Sequence, residues 1–139
     1  MALRMRVCID VSDLEAGIAF YRDALGLTAG RRLGATWAEM LGAVAPIDLL
    51  AEAAGTVPSP RAAAVRDYSR HWTPVHLDCV VDDLDAAVQR ATAAGATLDR
   101  EIQPRKWGRI ATLADPFGNG FCLLEFRGRG YAEVLEDPG

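Results

Sequence analysis

The chain has 139 residues and carries 15 Lys and Arg residues against 19 Asp and Glu residues, a formal net charge of −4 at pH 7. Half of the residues are hydrophobic and 24% are charged, a composition typical of a folded globular protein. The acidic balance argues against nucleic acid as a partner, because phosphate binding needs a clustered basic surface. The two histidines and three scattered cysteines exclude a multi-histidine zinc site and a C-x-x-C framework.

The sequence gives no sign of a membrane-directed segment. No stretch approaches the ~20 consecutive apolar residues of a membrane-spanning helix, and the first residues lack the apolar core of a signal peptide. We therefore expect a cytoplasmic protein with no membrane among its partners. Its three cysteines are expected to be reduced thiols that pack as small apolar residues.

The first module is predicted at about residues 3–52. Apolar and polar residues alternate up to Val11, which is typical of a half-buried strand. Ser12 and Glu15 then form a capping-box pattern ahead of an amphipathic helix, and Gly26 stands where that helix should end. Three short strands are predicted to follow, at residues 29–34, 36–41 and 46–51.

A linker at residues 53–72 separates this module from the next. It contains two prolines and then an Ala- and Arg-rich run, for which we predict a short helix at 61–70. The second module, at about residues 73–127, repeats the order of the first, and the tail at 128–139 is expected to fray. The second module is predicted as a strand at 74–81, a helix at 83–94 ended by Gly95, and strands near 97–101, 108–114 and 120–127.

The two modules are copies of one unit. Residues 6–16 match residues 76–86 in pattern, and the last strands of the modules match again at 47–50 and 121–124. Internal repetition of this kind indicates one supersecondary unit used twice. The sequence therefore predicts an α+β fold built from two tandem βαβββ modules.

Polar residues recur on one face of the first strand of each module. If the apolar residues of these strands face the helices, then Arg6, Cys8 and Asp10 share the opposite face. His76 and Asp78 occupy the equivalent face in the second module. Because polar groups on central strands are costly unless they are paired or solvated, we interpret them as the lining of a cleft shared by both modules. The alternative is an ordinary solvated sheet face.

Several short motifs resemble those of one protein group. They are Val11-Ser12-Asp13-Leu14-Glu15, the run from Phe20 to Leu27, His76-Leu77-Asp78, Val81-Asp82-Asp83, and Asp115-Pro116-Phe117-Gly118-Asn119 ahead of the last strand. Over residues 4–127 the chain resembles the vicinal oxygen chelate superfamily, which includes glyoxalases, bleomycin-resistance proteins and extradiol dioxygenases. The resemblance implies a single glyoxalase-like domain over residues 1–139. Its two modules would form a concave, half-barrel-like mixed sheet with the helices outside.

The resemblance also implies where a metal would bind. Metal-using members carry one ligand on the first and last strand of each module, typically His or Gln, then Glu, His and Glu. The matching positions here are Arg6, Asp48, His76 and Cys122. Because arginine stays protonated and offers no lone pair, we expect no cofactor, with Arg6 either pairing with Asp48 or binding an anionic group of a ligand. If a divalent metal is present, His76 and Asp48 are expected to hold it.

Three tryptophans and one aspartate complete the candidate ligand-binding set. Trp37, Trp72 and Trp107 lie outside the predicted helix faces and suit either stacking on a flat ligand or packing alone. Asp78 is expected to orient His76 or to form a simple polar pair with it.

The expected function is the binding of a small-molecule ligand in the concave cleft, without the metal of the superfamily. One alternative is a lyase, isomerase or dioxygenase-type enzyme, either metal-dependent or with His76 as the catalytic base. Another is a dimeric interaction module with a vestigial cleft. Members of the superfamily commonly pair, so the resemblance also implies a homodimer.

Overall fold

The computed structural model describes residues 1–135. The first module consists of β1 (Val7–Val11), α1 (Leu14–Leu25), β2 (Thr28–Leu33), β3 (Trp37–Leu41) and β4 (Ile47–Ala51). The second consists of β5 (Leu77–Val80), α2 (Leu84–Ala93), β6 (Thr97–Leu98), β7 (Gln103–Arg105), β8 (Gly108–Ala114) and β9 (Gly120–Phe126), with a 3-10 helix at Gly130–Val134. The α+β class is confirmed. The end of the tail, residues 136–139, for which we predicted fraying, lies outside the described residues.

Helix α1 begins one residue later than the capping-box pattern indicates. Its N-cap is Asp13, whose carboxylate accepts a hydrogen bond from the Ala16 N–H at 2.8 Å. The capping role predicted for Ser12 is therefore wrong, because the cap must directly precede the first helical residue. Gly26 ends the helix as predicted, with φ 70°. Within residues 1–135, no helix has the length and apolar character needed to cross a membrane.

Each module forms one mixed sheet. The strand order is β1-β4-β3-β2 in the first and β5-β9-β8-β6 in the second, where β7 also pairs with β8. The pairs β1–β4 and β5–β9 are parallel and the others are antiparallel. The predicted repeat is thus present, but the strand predicted at 97–101 is shortened to β6, and the additional strand β7 was not predicted. Strand β6 ends directly before Asp99, whose carboxylate accepts a hydrogen bond from Arg70 at 2.9 Å.

Side chains alternate between a helix-facing side and an open side of each sheet. In the first sheet Met40 and Leu49 are fully buried in the core, so their neighbours Glu39 and Asp48 lie on the open face. In the second sheet the same alternation places Cys122 on the open face. The sheets therefore present the candidate polar residues on the faces that the sequence pattern predicted.

The strands β1 and β5 are shorter at their beginnings than expected. Met5 and Val75 are apolar residues within the alternating patterns from which these strands were predicted, but they precede the first strand residues Val7 and Leu77. They are 64% and 78% exposed. Alternation alone does not show where a strand starts, because irregular segments carry apolar residues as well.

The two modules share one hydrophobic core. Helix α1 packs against α2, and the Phe20 ring of α1 contacts Phe121 of β9 with centroids 6.3 Å apart. The Tyr21 hydroxyl donates a hydrogen bond to Asp115 Oδ2 at 2.6 Å, and the Asn119 side-chain amide donates to a β1 carbonyl at 3.0 Å. These contacts join the first helix and strand of one module to the final turn of the other.

The linker contains no helix, so the short helix predicted at 61–70 is wrong. Its side chains instead reach back to the first module. Arg66 Nε donates to Asp10 Oδ2 at 2.9 Å, and the Tyr68 hydroxyl donates to the Glu52 carbonyl at 2.5 Å. Tertiary contacts thus override the helix propensity of the Ala- and Arg-rich run.

Candidate functional site

The open face of the first sheet carries a cluster of four charged side chains. Arg6 donates to the Asp48 carboxylate from Nε at 2.8 Å and from Nη2 at 2.6 Å. Its Nη2 also donates to Glu39 at 2.6 Å, and Arg31 donates to the same glutamate at 2.9 Å. The predicted pair of Arg6 and Asp48 is present. Glu39 was missed, although the alternation along β3 places it on this face, opposite Asp48 in the sheet register.

The charges within this cluster compensate one another. Hydrogen bonds from Arg31 and Arg6 lower the pKa of Glu39 to about 2. The Asp48 and Glu39 carboxylates in turn raise the pKa of Arg6. The Glu39 side chain is only 5% exposed, whereas that of Arg6 is 42% exposed. With two cations and two anions, the cluster has no net negative charge to attract a free metal ion.

A second group, formed by His76, Asp78 and Cys122, converges on the open face of the second sheet. One ligand-type atom from each residue lies within 4.8 Å of the others, and His76 Nε2 is 3.1 Å from Asp78 Oδ1. The parallel register of β5 and β9 brings them together, since Asp78 lies opposite Cys122. The contact between His76 and Asp78 is the one the sequence pattern predicted.

The thiol of this group is buried, with Cys122 only 7% exposed. Burial raises its pKa, the hydrogen bond to Thr112 Oγ1 at 3.8 Å lowers it, and the Asp78 carboxylate raises it further. The net effect is a raised pKa, so the thiol stays protonated at neutral pH. A protonated thiol is a poor nucleophile.

These donors do not fit a divalent ion held between the two modules. Arg6 is a fixed cation, and Asp48 already binds it through both carboxylate oxygens. The pair expected to hold a metal, His76 and Asp48, does not occur in any metal-type group within residues 1–135. The residues whose ligand-type atoms do converge are His76, Asp78 and Cys122. They offer one nitrogen, one oxygen and one sulfur donor. Such a set suits zinc rather than an oxygen-preferring ion.

Two cavities adjoin the second group. The larger has a volume of about 430 Å³ and lies between β1 and β5; we call it the slot. The smaller has a volume of about 240 Å³ and lies over the open face of the second sheet, where Cys122 is part of its wall; we call it the head cavity. His76 lines both.

The three tryptophans occupy different surroundings. Trp72 is 81% exposed and lines the head cavity. Trp37 is half-buried on the open face of the first sheet. Trp107 lies 5.7 Å from Phe126 and 5.3 Å from Tyr131, measured between ring centroids, and lines neither the slot nor the head cavity. Of the three, Trp72 is the one that shares a cavity with His76.

Sequence reasoning missed several residues that line these cavities. Arg70, Arg100 and Thr112 line the head cavity, and Tyr21 lines the slot. The alternation along β8 could have identified Thr112 as an open-face residue. The place of Arg70 has no comparable signal, because it depends on how the irregular linker folds.

Residues 6–124 match the glyoxalase-like domain family, and the chain belongs to this family. The match covers both modules and the linker between them. It confirms the membership of the vicinal oxygen chelate superfamily that the motifs indicated.

Two curated proteins are similar in sequence to part of this chain. An uncharacterized protein of Mycobacterium tuberculosis (strain H37Rv) is 44% identical over 52 residues, which are 37% of this chain and 31% of that protein. The anthracycline biosynthesis protein DauV of Streptomyces sp. (strain C5) is 32% identical over 120 residues, 83% of this chain and 38% of DauV. The chain thus spans less than half the length of these curated relatives.

Solved structures show the same fold. The fosfomycin resistance protein FosX of Listeria monocytogenes superposes with a TM-score of 0.72 at 17% identity, over 97% of this chain and 99% of FosX. A FosX mutant complexed with Mn(II) and dihydroxypropylphosphonic acid gives 0.69 at 18% identity, over 89% and 90% of the two chains. Lactoylglutathione lyase of Agrobacterium tumefaciens gives 0.62 at 22% identity, over 90% and 94%. At such identities the similarity establishes the fold and leaves the ligand open.

Proposed function

We propose that this protein binds a small organic molecule beside β5, without a divalent ion shared between its two modules. The observation that carries the proposal is the pairing of Arg6 with both carboxylate oxygens of Asp48. This pair occupies two of the four positions at which metal-using members of the superfamily carry ligands. An arginine there supplies positive charge but no lone pair for a metal.

The cavities and the relatives support a small-molecule ligand. The slot and the head cavity, at about 430 and 240 Å³, offer volumes typical of small-molecule sites when taken together. One relative is named for anthracycline biosynthesis, and one structural neighbour is named for fosfomycin resistance. Both names refer to small molecules, and the aromatic rings of Tyr21 and Phe121 among the walls of the slot favour a ligand with a flat ring system.

The test compares protein purified without chelator with protein treated with EDTA. Elemental analysis gives the metal content, and the shift in melting temperature with a panel of neutral polycyclic aromatic compounds reports binding. We expect at least one compound to bind equally to both preparations. A stoichiometric metal lost on His76→Ala, or binding that EDTA abolishes and Mn(II) restores, would contradict the proposal.

A second candidate is an enzyme of the lyase or isomerase type, and the convergence of His76, Asp78 and Cys122 within 4.8 Å favours it. These residues would hold zinc and leave a coordination position open for substrate. Calorimetric titration of zinc into EDTA-treated protein, with an assay for turnover of a methylglyoxal–thiol adduct, tests this candidate. His76→Ala should abolish both zinc binding and turnover, whereas His71→Ala, which removes the other imidazole of the chain, should retain zinc binding. Wild-type protein that binds no zinc and turns over no adduct would exclude it.

We also propose that two copies pair through the outer edge of the first sheet. Strand β2 has only β3 as a neighbour, and Leu33 and Leu41 beside this edge are 72% and 39% exposed. An unpaired strand edge with exposed apolar side chains is a template for a second copy. Sedimentation equilibrium should give twice the chain mass for the wild type and the single-chain mass for Leu33→Lys. A monomeric wild type would refute the pairing.

A further inference from the structure

The slot and the head cavity are adjacent, and His76 stands where they meet. The slot lies between β1 and β5, the outermost strands of their sheets. The head cavity covers the open face of the second sheet, and Thr73, Gly120 and Phe121 line both cavities together with His76. A ligand longer than either cavity can therefore extend from one into the other along the imidazole.

The slot is mainly apolar. Val7 and Ile9 of β1 and Leu77 of β5 line it, with the buried ring of Tyr21 among its walls. The Tyr21 hydroxyl is already engaged, since it donates to Asp115 at 2.6 Å. The ring is therefore what Tyr21 offers to an occupant, and the slot suits a flat apolar body.

The head cavity is polar and carries positive charge. Arg70 and Arg100 both line it. Arg70 forms an ion pair with Asp99 at 2.9 Å, whereas Arg100 forms no ion pair among the residues described, 1–135. The charge of Arg100 is felt inside the cavity, because it lowers the pKa of the Cys122 thiol against the larger, opposite effect of burial.

Two carboxylates, that of Asp99 in the wall of this cavity and that of Asp78 beside Cys122, are already paired. Asp99 accepts its hydrogen bonds from Arg70, and Asp78 is in contact with His76 at 3.1 Å. Of the two arginines that line the head cavity, Arg100 is therefore the one with no carboxylate partner among residues 1–135. Charge-assisted hydrogen bonds from a guanidinium are strong with carboxylates and similar anions.

We propose that the ligand is an amphiphilic aromatic acid, with its flat apolar body in the slot and its acidic group beside Arg100 in the head cavity. This inference rests on the proposed function and names the chemical class of the molecule bound. His76 lies where the two cavities meet, next to the part of the ligand that connects the ring system to the acidic group. Arg100 selects for the acid, and the slot selects for the ring system.

Calorimetric titration with anthracenecarboxylate and its uncharged carboxamide tests the role of Arg100. We expect the wild type to bind the carboxylate about tenfold more tightly, the effect of one hydrogen bond to a charged group. Arg100→Gln should remove this preference. Arg105→Gln is the matched control, because Arg105 lies on β7 and lines neither cavity, and it should keep the preference.

A slot-filling substitution tests the other half of the ligand. Val75 lines the slot and is 78% exposed, so Val75→Trp fills space without disturbing the core. It should weaken the binding of both compounds by about tenfold and leave the preference for the acid unchanged. Val57→Trp, at a 60% exposed linker position outside both cavities, should change neither affinity.

The outcomes separate this inference from the proposed function. If the wild type binds acid and amide equally, or if Arg100→Gln retains the preference, the inference is overturned and the proposed function stands. If Val75→Trp binds both compounds as the wild type does, the slot is not the site of the ring system. If neither of these compounds nor the neutral panel binds, the proposed function fails as well.

Discussion

The hydrogen bond between Tyr21 and Asp115 joins the two modules, and Tyr21→Phe removes it alone. The hydroxyl lies 2.6 Å from Oδ2, and Tyr21 is only 4% exposed. The substitution keeps the ring, so packing against Phe20 at 4.9 Å between centroids is retained. The Asp115 carboxylate keeps its other donors, which are the backbone N–H groups of Phe117 and Asn119 and the Asn119 side-chain amide.

The expected cost follows from these contacts. A hydrogen bond to a charged group contributes about 1.5–3 kcal/mol. Because the carboxylate is not left without donors, we expect the lower part of this range, about 1.5–2 kcal/mol. For a chain of this size, ~1 kcal/mol corresponds to ~3 °C, so the melting temperature should fall by about 5 °C.

Urea unfolding and thermal unfolding of the two proteins measure the effect. Tyr131→Phe is the control, because it makes the same chemical change on a ring that is 51% exposed. If Tyr21→Phe is no more destabilising than this control, then the hydrogen bond does not join the modules energetically. Burial, followed by the Asp115 charge, raises the pKa of Tyr21 well above 10, so the wild type should lose stability above pH 10 as the unfolded phenol ionises. Tyr21→Phe should lack this contribution.

Three further predictions concern stability. The pKa of Glu39 and of Glu125 is about 2, below the ordinary 4.5, because arginines donate to both carboxylates. The contribution of these carboxylates to folding stability should be complete above about pH 4.5 and disappear as the pH falls towards 2. Between pH 6 and pH 2 the urea midpoint should therefore decline less for Glu39→Gln and for Glu125→Gln than for the wild type. Gly118 has φ +79°, and an added Cβ would lie 2.0 Å from a linker carbonyl oxygen, so Gly118→Ala should lower the melting temperature more than Gly34→Ala, whose Cβ meets nothing within 4 Å. Leu49 is fully buried, so Leu49→Ala should cost about 2–5 kcal/mol in urea unfolding, and a loss below ~1 kcal/mol would contradict its place in the core.

The repeated pattern made most of the fold predictable. Alternation predicted the strands and amphipathic spacing the helices because both signals are local. The errors arise where local signals compete. Ser12 and Asp13 are both good caps, and the backbone at the helix start decides between them. Residues 61–70 have the composition of a helix, but the contacts of Arg66 and Tyr68 with the first module favour an irregular path.

The candidate site was predictable to the extent that it follows from the strand register of the repeat. Arg6 directly precedes β1 and Asp48 lies on the adjacent parallel strand β4, so their pairing could be foreseen, although the register partner of Asp48 is Cys8. Glu39 belongs to the same cluster because β3 pairs with β4 in a register that places it opposite Asp48. The sequence alone does not determine the register of this strand pair. Arg100 lies in the break between β6 and β7, and its place in the same cavity wall as His76 depends on a non-local approach that carries no periodic signal.

The guanidinium of Arg6 gives the first module a counter-charge that is part of the polypeptide. A bound ion occupies its site only while its free concentration exceeds its dissociation constant, and it leaves when a chelator competes for it. The charge on Arg6 is present at every concentration of metal and at every pH at which the protein folds. The open face of the first sheet should therefore keep the same arrangement in metal-starved and metal-rich cells, and no competing ion can replace the charge that holds Asp48 and Glu39 together.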